Sequence, residues 1–364
     1  MDRMSSELEQ LPFVWSDACL KHEPGGEVWV GVKTPGTELA ERAVGIRAAL
    51  AGAGAREVEA EPHPDRLLET IHDPALLEYL ARAWSDWQAA GLELDPGQNR
   101  VVPYLFPHPG LTGGIEPTEP PAVSARAGLF CFDTMTLVGP GTWEAARAAI
   151  DVALTAADLV AGGEPVAYAC TRPPGHHAAR SVFGGSCYLN NAAVAAAGLH
   201  ESIGKPVAIV DIDAHHGNGS QQIFYGDPAV LTGSVHVDPG AGWFPHFVGF
   251  ASEQGTGAGR GGNRNLPLAP GTGDPGWLTA VEGLIGWALD GKPRAIVLAL
   301  GVDAAASDPE SPFDVTASAY RRAGELIGES GLPVVVVQEG GYDLETIGRL
   351  VLETLCGIRE GQGR

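Results

Sequence analysis

Along the second half of the chain, apolar runs alternate with helical stretches in a repeated order. Four times a Gly-x-Pro introduces a short apolar run: Gly163-Glu164-Pro165 before VAYAC, Gly204-Lys205-Pro206 before VAIV, Gly291-Lys292-Pro293 before RAIVLAL, and Gly331-Leu332-Pro333 before VVVV. A glycine that ends a helix, then a proline, then a β-branched run, predicts helix, loop and buried strand in that order. Helical stretches lie between, at 143–161 and 190–203. Strands without polar alternation, separated by helices, form a parallel sheet covered on both faces, which is the α/β class.

The segments after these runs carry the reactive side chains. VAYAC leads into TRPPGHH, VAIV into DIDAHHGNG, AIVLAL into GVDAAASDPE, and VVVV into QEGGYDL. In open α/β sheets, ligands sit outside the carboxyl ends of the strands, so these four ends converge on one crevice if the sheet is parallel. Residues 19–37 and 95–125 are rich in Gly and Pro and read as irregular loops over its rim. No internal repeat or domain boundary interrupts the chain, so residues 1–364 read as one domain.

Composition narrows the function without choosing it. Hydrophobic residues make up 44% of the 364, enough for a substantial core. No window of 18 apolar residues occurs, which argues against a membrane span, and the start MDRMSSELEQLPFVW lacks a basic region followed by an apolar one, so a cytoplasmic location is expected. The five cysteines are scattered without a CxxC, which argues against a disulfide scaffold and a cysteine-rich zinc site and predicts buried free thiols. The formal charge of −22 disfavours nucleic acid and favours a cationic ligand.

Three motifs carry chemistry. In Asp211-Ile212-Asp213-Ala214-His215-His216-Gly217, residues two apart share a side if strand geometry persists, so Asp211, Asp213 and His215 face one site. Carboxylate and imidazole at that spacing suit a divalent metal, zinc above all, and Asp303, after the next apolar run, is placed to be the third ligand. Three protein ligands leave a position for water, as in catalytic zinc sites. A structural cluster of caps and ion pairs is the alternative. The tandem His176-His177 in a Pro-Gly turn suits a general base and acid, with Asp211 and Asn218 as candidates to fix their tautomers; an idle surface pair or extra metal ligands are the alternatives. Tyr342, after Glu339-Gly340-Gly341, can donate to a carbonyl oxygen that becomes an oxyanion, or can be a core tyrosine.

The segments PPGHHA (173–178), CYLNNAAVAA (187–196), DIDAHHGNG (211–219), FPHFVGFASEQGTGAG (244–259), LGVDAAASDP (300–309) and EGGYD (339–343) resemble the arginase–deacetylase superfamily, and within it the acetylpolyamine amidohydrolases and histone-deacetylase-like amidohydrolases. Weaker similarity extends through PGTWEAA (140–146) and HDPALLEYL (72–80), so the resemblance covers most of the chain. It implies one α/β domain with a central eight-stranded parallel sheet and helices on both faces. It implies Zn2+, or Fe2+, Co2+ or Mn2+ in its place, on Asp213, His215 and Asp303. It implies a structural K+ at Asp211, Asp213, His215 and Ser234. Catalytic roles are implied for His176, His177 and Tyr342: a metal-activated water gives up a proton to His177 and attacks an amide of a small acylated amine. A homodimer is expected from the same branch.

The chain departs from the pattern before Cys187, where an aromatic residue is usual and Ser186 stands instead. Phe244 keeps the opposite wall of the implied tunnel, which Gly185 and Gly340 also line. Losing one ring removes on the order of 1–3 kcal/mol of burial for a slim substrate. Either the substrate is a bulkier amide, or another side chain such as Phe183 or Trp243 fills the gap. Asn218 stands where some members have Asp, which lowers the basicity of His177. Glu310, on the loop after Asp303, is placed to attract a second ammonium of a polyamine, or is a solvated loop residue. A non-catalytic relative that binds acylated ligands, and a binuclear manganese hydrolase of the arginase type, are the remaining readings; both fit the combined motifs less well.

Overall fold

The computed structural model describes residues 8–204 and 206–364. Lys205 of the second Gly-x-Pro, and residues 1–7 of the start inspected for a leader, therefore lie outside the described residues. Ten strands occur in the order β1 (Pro12–Trp15), β2 (Glu27–Trp29), β3 (Val32–Thr34), β4 (Arg56–Glu59), β5 (Val166–Ala169), β6 (Val207–Asp211), β7 (Val230–Val237), β8 (Asn263–Leu268), β9 (Ile296–Leu300) and β10 (Val334–Gln338). Eight of them form one sheet in the order β4-β1-β5-β10-β9-β6-β7-β8. Every pairing in it is parallel.

The four apolar runs of the sequence are the four central strands. Side chains alternate between two cores. Ala167, Ala169, Val207, Ile209, Val297, Val335 and Val337 face one side, with helices Pro74–Ala89, Thr142–Ala161 and Asn191–Ile203. Val166, Tyr168, Ala208, Val210, Leu298, Val334 and Val336 face the other, with helices Ala40–Gly52, Asp274–Asp290, Ala317–Gly328 and Ile347–Gln362. The expected helix-ending glycines adopt positive φ at Gly163, Gly204 and Gly331, but before β9 that conformation falls on Lys292 (φ 55). All five cysteines are free and buried. Among the described residues, no helix is long and apolar enough to cross a membrane.

The stretch 19–37 is more regular than its composition suggests. It holds an antiparallel hairpin of β2 and β3, turned at Val30 (φ 48) and Gly31 (φ 81). Two positive φ values in a two-residue loop match the right-handed twist of hairpin strands. The hairpin docks on the segment after helix Val123–Phe130: Val28 N–H donates to the Thr134 carbonyl (3.2 Å), and Thr134 Oγ1 donates to the Val28 carbonyl (2.7 Å). The stretch 95–125 contains one short helix, Pro109–Thr112, and exposes Tyr104, Leu111 and Ile115.

Candidate metal and catalytic site

The carboxyl ends of β5, β10, β9 and β6 lie side by side, and the segments leaving them meet above the sheet edge. The segment after β6 does not stay extended. Asp211 Oδ1 accepts from the Asp213 N–H (3.0 Å), and Asp213 Oδ1 accepts from the His215 N–H (2.9 Å). These successive turns, rather than strand alternation, bring the side chains to one place. The correction is physical: a carboxylate that bonds the N–H two residues ahead bends the backbone out of the sheet.

Donor atoms of Asp213, His215 and Asp303 all lie within 4.8 Å of one another. Asp303 Oδ2 is 3.0 Å from His215 Nδ1, and Asp303 Oδ1 accepts from the Ala214 N–H (2.9 Å). Gly340 N–H donates to Asp213 Oδ2 (2.8 Å). A Cβ on Gly340 would stand 2.6 Å from both Asp213 Oδ2 and Asp303 Oδ2, and one on Gly301 would stand 2.0 Å from Asp213 Oδ2. Gly340 therefore backs the carboxylate cluster directly. Both carboxylates are buried. Burial, with the neighbouring Asp213, pushes Asp303 up, and His215 is driven well above its usual range, against its burial, by Asp213 and Asp303. Two buried carboxylates and an imidazole so arranged form a donor set that fits a divalent ion.

The tandem histidines sit beside this cluster with ring centroids 3.9 Å apart. Their loop is pinned from several sides. Glu339 Oε2 accepts from the N–H groups of Gly175 (2.6 Å) and His176 (3.0 Å), and Asn191 Nδ2 donates to the Pro173 carbonyl (3.1 Å). His176 Nδ1 lies 2.9 Å from Asp211 Oδ2, and His177 Nδ1 lies 2.7 Å from Asn218 Oδ1. Burial works against a charge on His176, but Asp213 and Asp211 overcome it and raise its pKa to about 10. Burial and the adjacent His176 hold His177 well below its usual range. The two rings are thus driven in opposite directions.

Tyr342 lies under the Arg42 guanidinium, 4.6 Å from ring centroid to Cζ. Burial and nearby Glu310 raise its phenol well above the usual value, with smaller contributions from Asp303 and Asp213. Arg42 also donates to the carbonyls of Glu339 (2.6 Å) and Gly341 (2.5 Å) and to Glu38 Oε1 (2.8 Å), so it grips the turn that carries the tyrosine. Glu38 is shared with Arg172 (2.9 Å), whose side chain reaches the carbonyls of Cys19 and His22.

Glu310 is half-buried and accepts from Thr37 Oγ1. Glu27 of β2 stands close by: burial and then Glu310 push its carboxyl up to about 7. Ser234 pairs in register with Asp211 on β7 and β6, and its hydroxyl contacts His236 Nδ1 (2.8 Å). Phe244 packs its ring against His177, with centroids 4.8 Å apart at 82°. Gly185 borders both: a Cβ there would be 2.4 Å from His177 Cδ2 and 3.0 Å from Phe244 Cε1. Ser186 N–H donates to Thr136 Oγ1 (2.9 Å). Of the two side chains named to fill its place, Phe183 is buried and stacks on Tyr79 and Tyr188, while Trp243 lies 6.3 Å from the His215 ring. The ring that faces Phe244 is Phe132, with centroids 6.2 Å apart at 20°. Arg42, Glu27 and Phe132 were missed by motif reasoning. Arg42 sits in a helical stretch resembling any solvated one, and Phe132 in a segment without a motif.

A histone deacetylase domain matches residues 37–358. The chain is 39% identical over 333 residues to an acetylpolyamine amidohydrolase of Mycoplana ramosa, covering 91% of this chain and 95% of that one. It is 38% identical over 352 residues to acetylpolyamine amidohydrolase 1 of Pseudomonas aeruginosa, covering 96% and 99% respectively. The crystal structure of an acetylpolyamine aminohydrolase from Burkholderia pseudomallei superposes with a TM-score of 0.90 at 34% identity, over 96% of this chain and 98% of the other.

Proposed function

The chain belongs to the histone deacetylase domain family, and we propose that it deacylates a small N-acylated amine, of the acetylpolyamine type, with a divalent metal on Asp213, His215 and Asp303. The observation that carries this reading is the convergence of those three donors within 4.8 Å beside tandem histidines held on Asp211 and Asn218. Zinc is the ion favoured by the carboxylate–imidazole donor set, with Fe2+, Co2+ or Mn2+ as substitutes. Such an ion supplies Lewis-acid polarisation of the acyl carbonyl and acidifies the attacking water.

The chain's own groups divide the remaining work. Asn218 accepts the Nδ1 proton of neutral His177, which leaves Nε2 as the base for the attacking water. His176, anchored on Asp211, lowers the basicity of its neighbour. That favours return of the proton from His177 to the departing amine nitrogen, giving a carboxylate and a free amine. Tyr342 keeps its proton at neutral pH and donates a hydrogen bond to the oxyanion. Glu310 and Glu27 attract a second ammonium of the substrate. The same reading includes a K+ at Asp211, Asp213, His215 and Ser234, supported by the register pairing of Asp211 with Ser234, and a homodimer, supported by exposed Tyr104, Leu111 and Ile115.

A second reading keeps the chemistry and enlarges the substrate. It is favoured by a groove of about 890 Å3 beside Phe132 and Phe244, lined also by Trp29, Met135 and Phe247. Protein reconstituted with Zn2+, Fe2+, Co2+ or Mn2+ should be assayed against acetylated diamines and polyamines, acetyl-lysine peptides and bulky aryl amides. Turnover of acetylated polyamines above all others is expected. Turnover only of bulky amides would select the second reading, and no turnover with any metal would refute both.

A further inference from the structure

The ring that faces Phe244, beside the tandem histidines, comes from an unexpected segment. Phe132 follows helix Val123–Phe130 and is tied down by its N–H donating to the Phe183 carbonyl (3.0 Å). The next residue, Asp133, accepts from the N–H groups of Met135 (2.9 Å), Thr136 (2.8 Å) and Gly185 (2.6 Å), which fastens this segment to the one containing Ser186. Gly184 and Gly185 give the rings their clearance. A Cβ on Gly184 would come within 2.4 Å of Phe132 Cζ, and one on Gly185 within 3.0 Å of Phe244 Cε1.

We infer that Phe132 is a specificity-determining residue that replaces the ring absent at Ser186, clamping the alkyl chain beside the scissile amide against Phe244. The inference rests on the amide hydrolysis proposed above. A carbon chain touching both ring faces needs about 7–8 Å between them. The present 6.2 Å therefore widens by about 1–2 Å on entry. Both rings border the open groove, but Phe244 is also braced edge-on by His177, so Phe132 is the ring that yields. It selects an unbranched methylene chain and closes the slot from the groove. Removing it merges the two spaces.

The test compares Phe132→Ala and Phe132→Tyr in the metal-loaded enzyme. For a linear monoacetylated diamine, F132A should raise KM on the order of ten-fold with little change in kcat, and F132Y should restore the wild-type KM. For an acetylated amine branched next to nitrogen, F132A should gain relative to wild type. Calorimetry with a straight-chain alkyl hydroxamate on the zinc-loaded protein should show the same ten-fold loss in F132A. An F132A enzyme within two-fold of wild type for both KM and hydroxamate affinity would overturn the inference. So would an F132Y enzyme as impaired as F132A. If wild type turned over no acylated amine, the functional reading would fall, while hydroxamate affinity would still decide the role of Phe132.

Discussion

Replacing Arg42 with Met should destabilise the fold and slow catalysis through a residue that touches no substrate. The guanidinium is buried, pairs with Glu38, caps the carbonyls on both sides of Gly340 and lies on the Tyr342 ring. Breaking a buried pair costs about 3–5 kcal/mol. The lower end applies, because Glu38 keeps Arg172 at 2.9 Å. The Gly341 carbonyl then loses the Arg42 donor, which adds roughly 1–3 kcal/mol, while the Glu339 carbonyl retains Gln338 Nε2 at 3.2 Å. A total of about 5 kcal/mol, at roughly 2 °C per kcal/mol for a chain of this size, lowers Tm by about 10 °C. Differential scanning calorimetry reads the first effect. Steady-state kinetics read the second, a fall in kcat on the order of ten-fold, since Tyr342 loses its support. Lys at 42 should recover part of the stability but little of kcat, because an ammonium cannot reach both carbonyls at once. A Met variant melting within 3 °C of wild type would refute the reasoning.

Other outcomes are equally specific. Asp303→Ala should reduce zinc content, measured by plasma emission spectroscopy, to a small fraction of one equivalent and lower activity by about three orders of magnitude; a variant holding a full equivalent contradicts the ligand assignment. Asn218→Ala should lower kcat by roughly 10–100-fold at unchanged KM, by freeing the His177 ring, and an unaltered kcat would dismiss that hydrogen bond. Glu27, with a carboxyl raised to about 7, is neutral below that pH and anionic above it. The KM for a monoacetylated diamine should therefore fall as pH rises from 6 to 8, more than for a neutral acetylated alkylamine, and Glu27→Gln should abolish the difference. Identical pH profiles for the two substrates would count against it.

What could be read from the sequence followed burial on two faces. β5, β6, β9 and β10 are covered on both sides, so their runs are apolar and visible. The outer strands hide for identifiable reasons. β4 (REVE) alternates at an edge, and β7 carries Thr232, Ser234 and His236 inward as hydrogen-bonding groups. In β8, Asn263 and Asn265 are buried donors to Gln221 Oε1. The β2–β3 hairpin turns on Val30-Gly31, whereas Asn-Gly is the usual signal. At the site, His176, His177, Asp211, Asp213, His215, Asp303 and Tyr342 stood out because each ends an apolar strand or lies in the segment leaving one. Arg42 reaches the Glu339 carbonyl across 297 residues of chain, and Phe132 faces Phe244 from a different segment, separations that no local pattern encodes.

The glycines behind the carboxylates give the centre an unusual kind of fragility. Gly301 and Gly340 donate no side-chain atom, yet Asp213 and Asp303 have nowhere to retreat if either acquires one. Harm here comes from adding matter rather than removing it: one methyl group at 301 or 340 would force a ligand oxygen out of place. The same lack of room opposes a longer acid at 213 or 303. On the proposed metal assignment, affinity for the ion is set partly by two empty volumes, and mutational scans that truncate side chains to alanine would read both positions as gains of bulk, not losses of function-bearing atoms.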